Sequence, residues 1–225
     1  SDHTRPVPSH ITMPLLLQEI RKGNPHAKIT ILIATGAHRP PSVEELTAKY
    51  GTKIVSQENI VSHDSTDIVN MYKVGALPSG EDLYINRIAF EADLLVAEGF
   101  IEPHFFAGFS GGRKSIFPGI TNRSVIMSNH CSENISNPRA RTGVLNGNPI
   151  HEEMVYAAGL SGLNFILNVV LDENKKVINA FCGHYDLAHR KGCEFVRKIA
   201  TVEAKPADIV ITTNGGYPLD QNIYQ

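Results

Sequence analysis

The sequence has little of what marks several classes of protein. Its 21 basic and 23 acidic residues give a formal net charge of -2, and the basic residues are scattered along the chain. This pattern lacks the concentrated positive charge that binds nucleic acid or an anionic membrane surface. The longest apolar run, 165–171, is interrupted by Asn168 and falls well short of the roughly 20 residues that cross a bilayer. We therefore expect neither a nucleic-acid partner nor a membrane partner.

Cysteine is also scarce. The three cysteines, Cys131, Cys182 and Cys193, lie far apart and form no Cys-x-x-Cys pair. Such usage is typical of a reducing compartment, so we expect a cytoplasmic protein. The first residue is not methionine, and 220–225 read as the beginning of a helix. We therefore expect a piece of a longer protein, with one complete domain and part of a second.

Short apolar, β-branched runs alternate with helical patterns, as in parallel βαβ units. Strands are predicted at 28–34, 94–97, 164–171 and 208–212. Ser42 and Glu45 form a capping box that predicts a helix over 42–50, and Asn148-Pro149 predicts another over 148–158. A hairpin turn is predicted at 172–176. The expected fold class is α/β, with a Rossmann-like, mostly parallel sheet and flanking helices.

A boundary between lobes is predicted near 202–206, where the sequence turns to small and polar residues before a new strand pattern. Residues 1–205 would form an N-terminal α/β lobe. Residues 206–225 would form the hinge and the start of a second α/β lobe.

Two histidines directly follow predicted strands. His38 comes after 28–34 and His104 comes after 94–97. A single loop histidine is more often only hydrogen-bonded than catalytic. Ligands in open α/β folds bind at the carboxyl ends of strands, however, and both histidines lie at that edge. Together they are candidates for acid-base catalysis.

A glycine-rich segment follows His104 and runs from Gly108 to Ser115. Backbone amides at Gly111 and Gly112 are candidates to bind the phosphate of a nucleotide. The segment is not an ATP-binding P-loop, because that motif needs glycine directly before its lysine and Arg113 stands there. The simpler interpretation is a tight turn with a solvated Arg-Lys pair. If Lys114 is buried, its amine becomes a candidate covalent anchor.

Other polar groups carry weaker signals. His130 is predicted at a helix end, where a capping role is more common than metal binding. Asp2 and Arg5 offer an acid and a guanidinium, the latter suited to a carboxylate or phosphate. His184 and His189 are most simply the polar face of a helix. The segment from His151 lacks the second histidine of a zinc-protease helix.

Five stretches together resemble the lactate racemase family. They are Ser1 to Pro6, Ala34 to Pro40, His104 to Ser115, Ser128 to His130, and Asn214 to Gln225. They follow the family's order and spacing along essentially the whole chain. The glycine-rich block from His104 to Lys114 is the specific part of the match.

The resemblance implies a cofactor, the nickel-pincer nucleotide, in which two sulfurs and a ring carbon of a pyridinium mononucleotide bind nickel. Lys114 would hold this cofactor through a thioamide, and His130 would be the protein's nickel ligand. Imidazole suits nickel, and a fourth donor gives the tetragonal geometry that Ni(II) favours. Phe105 and Phe106 would pack against the cofactor. Enzymes that make the cofactor are then implied as partners.

The resemblance also implies an isomerase that racemises a small 2-hydroxy acid, with D- and L-lactate as the leading pair. Its acid-base residues would be His38 and His104. The substrate-binding residues would be Arg5, Asp2, Tyr224 and Gln225. Hydride transfer to the cofactor, coupled to proton transfer to a histidine, would give a 2-oxo acid that is reduced on its other face.

Alternatives remain at this point. Another 2-hydroxy acid or a sugar would use the same cofactor machinery. Outside the family, a zinc hydrolase would place His38, His104 and His130 around the metal. A non-catalytic nucleotide-binding module would use only the glycine-rich segment.

Overall fold

The structure is a computed structural model that describes residues 1–211. The helices are α1 (Ser9–Gly23), α2 (Val43–Tyr50), α3 (Thr52–Gln57), α4 (Arg87–Phe90), α5 (Arg123–Asn129), α6 (Ser132–Ile135), α7 (Pro149–Leu160) and α8 (Leu187–Ala200), with 3-10 turns at Ile68–Asn70 and Gly112–Ser115. The strands are β1 (Thr30–Ile33), β2 (Asn59–Ser62), β3 (Met71–Ala76), β4 (Asp82–Asn86), β5 (Leu95–Phe100), β6 (Pro103–His104), β7 (Gly108–Phe109), β8 (Leu163–Leu171) and β9 (Val177–Gly183).

The strands form parallel and antiparallel pairs flanked by helices. β1 pairs with β2 in parallel, and β5 pairs with β8 in parallel. β9 joins the free edge of β8 antiparallel, and the β3–β4 and β6–β7 pairs are antiparallel hairpins. The α/β fold class is therefore confirmed. Within the described residues its parallel pairs lie in two separate sheets.

Local sequence signals account for the helix boundaries. Ser42 accepts from the Glu45 amide and Glu45 accepts from the Ser42 amide, which confirms the predicted capping box of α2. Asn148 caps α7 and Pro149 occupies its first turn, as predicted. The predicted turn at 172–176 joins β8 to β9, with Lys175 in a left-handed conformation at φ 63°.

One strand prediction is wrong for the residues that the structure describes. Residues 208–211 form no strand, and Ile209, Val210 and Ile211 are 80%, 77% and 90% exposed. A β-branched run indicates a strand only where partner strands exist, and 208–211 pair with none of the described strands. None of the helices within residues 1–211 combines the length and the hydrophobicity that a membrane-spanning helix needs.

The largest core cluster packs around β5 and so fixes the position from which the polar residues after this strand begin. It packs α5 and α7 against β4, β5 and β8, with fully buried Met154, Ile150 and Ile166 at its centre. A second cluster packs α1, α2 and α3 on β1. The two clusters fix the carboxyl ends of β5 and β1, from which His104 and His38 follow.

Shortening the fully buried Met154 to alanine should destabilise this core. Removing a buried side chain of this size lowers the free energy of unfolding by about 2–5 kcal/mol. Met127→Ala is the matched control, because Met127 is 61% exposed and its loss should change the value by less than about 0.5 kcal/mol. Urea denaturation of the full-length protein measures both. Equal effects would contradict the assigned core.

Candidate active site

The ring of Phe106 lies at the centre of an aromatic and basic cluster. Its centroid is 4.7 Å from that of His104, 4.5 Å from that of Phe105 and 4.9 Å from that of His130. The amine Nζ of Lys114 lies 5.8 Å from the same centroid. Five residues singled out in the sequence therefore lie together in space.

Short elements bring these side chains together. His104 ends β6, and the chain reverses through Phe105 to Ala107 into β7. The backbone N–H of Ala107 donates to Nδ1 of His104 at 3.2 Å. Lys114 lies in the following 3-10 turn, and His130 is the C-terminal cap of α5. The cluster thus joins the β6–β7 hairpin, the glycine-rich segment and a helix end.

The Lys114 amine has no carboxylate partner within 4 Å among the described residues, and its side chain is half-buried. Burial lowers the pKa of Lys114 well below its ordinary value, and the charges of Arg113 and Arg5 lower it further. A neutral amine is the nucleophilic form of lysine. The position suits covalent attachment better than a surface lysine would.

His104 and His130 are both held neutral. Burial lowers the pKa of His130 to about 4, with the nearby Lys114 charge adding to the effect. Burial, then the charges of Lys114 and Arg113, lower the pKa of His104. Nδ1 of His130 is buried and has no hydrogen-bond partner in the part of the chain that the structure describes. A neutral imidazole with a free ring nitrogen is the form that binds a metal ion.

A second group of polar residues surrounds Asp2. Its carboxylate oxygen Oδ2 lies 2.6 Å from Nδ1 of His38 and 2.5 Å from the hydroxyl of Thr4. Burial acts to raise the pKa of Asp2, but the hydrogen bonds from His38 and Thr4 outweigh it and the pKa is lowered. Asp2 is therefore ionised, and it holds Nδ1 of a histidine whose side chain is 49% exposed.

Arg5 connects the two groups. Its backbone N–H donates to the carbonyl of Asp2 at 3.2 Å, and its own carbonyl accepts a hydrogen bond of 3.0 Å from the buried amine of Lys49. Burial is the main reason why the pKa of His104 is lowered, and Lys114, Arg113 and then the Arg5 guanidinium add to the effect. Burial also raises the pKa of Glu102, and among the charges that oppose this rise that of Arg5 has the largest effect. Tyr224 and Gln225 lie outside the described residues.

At least four of the eight amides of the glycine-rich segment are already bonded within the protein. The N–H groups of Phe109, Ser110 and Lys114 donate to backbone carbonyls, and that of Gly112 donates to the side chain of Asn168 at 2.6 Å. An added Cβ at Gly111 would lie 2.6 Å from that same side chain. The internal packing of the segment therefore requires its glycines.

The interpretation of a solvated Arg-Lys pair is wrong for Arg113, which is 1% exposed. Its guanidinium donates to the carbonyls of Ala107 and Phe109, both at 2.8 Å. The prediction that His189 lies on a polar helix face is also wrong. Its side chain is buried, with 1% exposed, and its Nε2 lies 2.9 Å from the Ser110 carbonyl. No local sequence pattern predicts this contact, since the two partners are 79 residues apart.

An all-protein zinc site finds no support in the geometry. Among residues 1–211, no group of three or more His, Cys, Asp or Glu side chains is placed to hold one metal ion. His38 contacts Asp2, whereas His104 and His130 contact Phe106.

Comparison with known proteins identifies close relatives. The family model for the lactate racemase N-terminal domain matches residues 1–143, and that for the C-terminal domain matches 202–225. The chain is 66% identical over its whole length to a lactate racemase of Thermoanaerobacterium thermosaccharolyticum and 60% identical to one of Lactiplantibacillus plantarum. It spans 53% of each of these proteins.

Solved structures agree with these matches. The lactate racemase apoprotein from T. thermosaccharolyticum superposes with a TM-score of 0.96 at 66% identity, over 99% of this chain and 54% of that one. A protein from Thermotoga maritima superposes with a TM-score of 0.73 at 24% identity, over 88% of this chain and 53% of that one. The second likeness concerns the fold alone.

The His189→Gln variant should lose less stability at acid pH than the unchanged protein. Burial lowers the pKa of His189 to about 3, so below its unfolded pKa of about 6.5 the ring takes up a proton only on unfolding. Stability therefore falls as the pH drops below that value, and glutamine removes this one proton. Urea denaturation measures the free energy of unfolding at pH 7 and at pH 5. The decrease between the two pH values should be smaller by roughly 1–2 kcal/mol in the variant than in the unchanged protein. Equal differences would contradict a neutral buried His189.

Proposed function

Because this chain belongs to the lactate racemase family, we propose that it is the cofactor-bearing part of an enzyme that interconverts D- and L-lactate. Residues 1–205 would form the cofactor-bearing N-terminal lobe, and 206–225 the hinge and the start of the second lobe that closes on the substrate. The matches of 1–143 and 202–225 to two different family models support this division. The free cysteines suit a reducing, cytoplasmic setting.

One observation carries the proposal: His104, His130 and Lys114 lie around the single ring of Phe106. Each of the three has a different chemical capacity. Lys114 offers an amine that burial keeps reactive, and His130 offers a ring nitrogen with no described partner. His104 offers a ring that can exchange a proton. A nucleotide-binding module needs none of these groups in such an arrangement.

The residues present fit a lysine-tethered nickel-pincer nucleotide. Lys114 would hold the group by a thioamide, and His130 would supply a neutral imidazole to nickel. Phe105 and Phe106 would pack against it, and Gly111 and Gly112 would lie beside it. Once bound, this group supplies a reversible acceptor for hydride. Enzymes that make it would be the protein's other partners.

The chain's own residues then bind the substrate and move its proton. Arg5 would bind the carboxylate of a 2-hydroxy acid, for which a planar guanidinium is suited. Asp2 would hold Nδ1 of His38, which leaves Nε2 to take the hydroxyl proton. Loss of this proton together with hydride leaves a planar 2-oxo acid. Tyr224 and Gln225 would enclose the substrate from the second lobe.

The two histidines differ in their resting tautomers. The Asp2 carboxylate only accepts, so neutral His38 carries its proton on Nδ1 and is a base at Nε2. The Ala107 amide only donates, so neutral His104 carries its proton on Nε2. Nε2 of His38 is thus free to take a proton, whereas Nε2 of His104 already carries one and can donate a hydrogen bond to a substrate oxygen. For His104 to act as the base for the opposite enantiomer, its ring would first have to change tautomer.

Replacing either histidine should abolish most of the racemisation. We expect His38→Ala and His104→Ala each to lower kcat by about 100-fold or more, because general acid-base catalysis contributes on the order of 10²–10⁴. The assay follows D- and L-lactate by chiral chromatography in the cofactor-loaded, full-length protein. His26→Ala is the control, since His26 is exposed and precedes β1, at the end of that strand opposite His38. Unchanged racemisation in both single variants would overturn the assignment.

Arg5→Lys should raise KM more than it lowers kcat. Lysine keeps the positive charge but loses the two parallel N–H groups of the guanidinium, which weakens carboxylate binding by about 10-fold or more. Arg123→Lys, at an exposed position, serves as the control. The same assays with other 2-hydroxy acids and with sugars distinguish lactate from these alternative substrates. If Arg5→Lys left KM unchanged, Arg5 would not be the carboxylate ligand.

A further inference from the structure

Two buried side chains hold four carbonyl groups in the segment that links His104 to Lys114. Arg113 donates through Nη2 to Ala107 at 2.8 Å, and through Nη1 to Phe109 at 2.8 Å and Gly111 at 3.3 Å. Nε2 of His189 lies 2.9 Å from the carbonyl of Ser110, which is the remaining one of these four. We call this arrangement the carbonyl clamp.

The clamp is built around a charge that has no acidic partner. Within the described residues no carboxylate lies within 4 Å of the Arg113 guanidinium. Burial lowers the pKa of Arg113 only to about 10, so the side chain remains charged at neutral pH. The aligned carbonyl dipoles therefore solvate it. A buried charge held in this way resists displacement, because moving any of these carbonyls exposes the charge to an apolar interior.

The imidazole of His189 also contacts the loop directly. An added Cβ at Gly112 would lie 2.7 Å from Cγ of His189, so only glycine lets the loop approach the ring this closely. Gly112 precedes Arg113 and Lys114 in the same 3-10 turn. The ring of His189 thereby limits where the Lys114 backbone can lie.

We propose that Arg113 and His189 are positioning residues that fix the loop between His104 and Lys114, and so set the relative placement of the two groups around Phe106. The inference rests on the proposed function, in which His104 exchanges a proton and Lys114 carries the cofactor. Neither clamp residue touches substrate in this account. Both act through backbone carbonyls.

The hydrogen bonds show which ring nitrogen of His189 holds the Ser110 carbonyl. Nε2 of His189 is within reach of both the Ser110 carbonyl and, at 3.1 Å, Nη1 of Arg113. Nη1 already uses both of its N–H groups on Phe109 and Gly111, so Nε2 carries the ring proton and donates it to Ser110. Glutamine can place an amide N–H near the position of Nε2. Asparagine is one carbon shorter and cannot.

The sharpest test therefore compares His189→Gln with His189→Asn. In the cofactor-loaded, full-length protein, we expect His189→Gln to keep kcat per loaded site within about threefold of the unchanged protein. His189→Asn should lower it by at least about tenfold, since a displacement of about 1 Å at a catalytic group can cost on the order of 100-fold. KM should change little in either variant, because Arg5 lies on another segment. His184→Asn, at an exposed position, is the control.

A second measurement needs no cofactor. The unloaded full-length protein is acetylated, and peptide masses give the ratio of acetylation at Lys114 to acetylation at the exposed Lys198. This labelling ratio reports the placement of the Lys114 amine. We expect the ratio in His189→Asn and Arg113→Lys to change at least about threefold, while His189→Gln and His184→Asn keep it. Arg113→Lys keeps the charge but loses the fork that reaches several carbonyls.

The outcomes separate the clamp from the proposed function. Equal kcat and equal labelling in His189→Gln and His189→Asn would overturn the clamp, even in an active racemase. The expected labelling pattern in a protein that racemises no hydroxy acid would uphold the clamp and overturn the proposed function. If His189→Gln and His189→Asn lost kcat to the same extent and changed the labelling ratio equally, the His189 ring would act only through its volume. That result would also overturn the clamp.

Discussion

Burial of positive charge without a nearby carboxylate is the constraint on which this site depends. Arg113 and Lys114 are adjacent in sequence, and within the described residues neither has an acidic partner within 4 Å. The two side chains respond to this constraint differently. Arg113 stays charged because backbone carbonyls surround its guanidinium, whereas burial and the Arg113 charge lower the pKa of Lys114. One residue thus orders the loop, and its neighbour becomes a reactive amine.

The same positive environment makes the two candidate catalytic histidines unequal. Burial lowers the pKa of His104, and the nearby basic groups of Lys114, Arg113 and Arg5 lower it further. His38 instead lies against the ionised carboxylate of Asp2. If the chain racemises a hydroxy acid as proposed, the charge of substrate or cofactor would have to favour protonation of His104.

Sequence reasoning succeeded where the determining interactions are local. The capping box at Ser42 and the Asn148-Pro149 pair were readable because each helix end is fixed by residues within a few positions. His38 and His104 do follow β1 and β5, as predicted, and strand ends are where such folds bind ligands. The family resemblance then gave each residue a role that composition and spacing did not reveal.

The failures have a different physical origin. Arg113 looked solvated and His189 looked like part of a polar face, because a single charged or polar residue is normally exposed. Their burial depends on contacts between residues distant in sequence, such as His189 with Ser110 and Gly112 with Asn168. The run at 208–211 looked like a strand because β-branched residues favour one, yet pairing depends on strands elsewhere in the protein.

The central claim is that the cluster around Phe106 holds a metal-binding nucleotide on Lys114. The most direct measurement is the mass of the Lys114 peptide, with metal analysis of the same sample, from full-length protein produced together with the enzymes that make the cofactor. The account predicts a sulfur-containing adduct of nucleotide size on Lys114 and about one nickel per loaded site. An unmodified Lys114 in protein from a host that loads a known lactate racemase would contradict it.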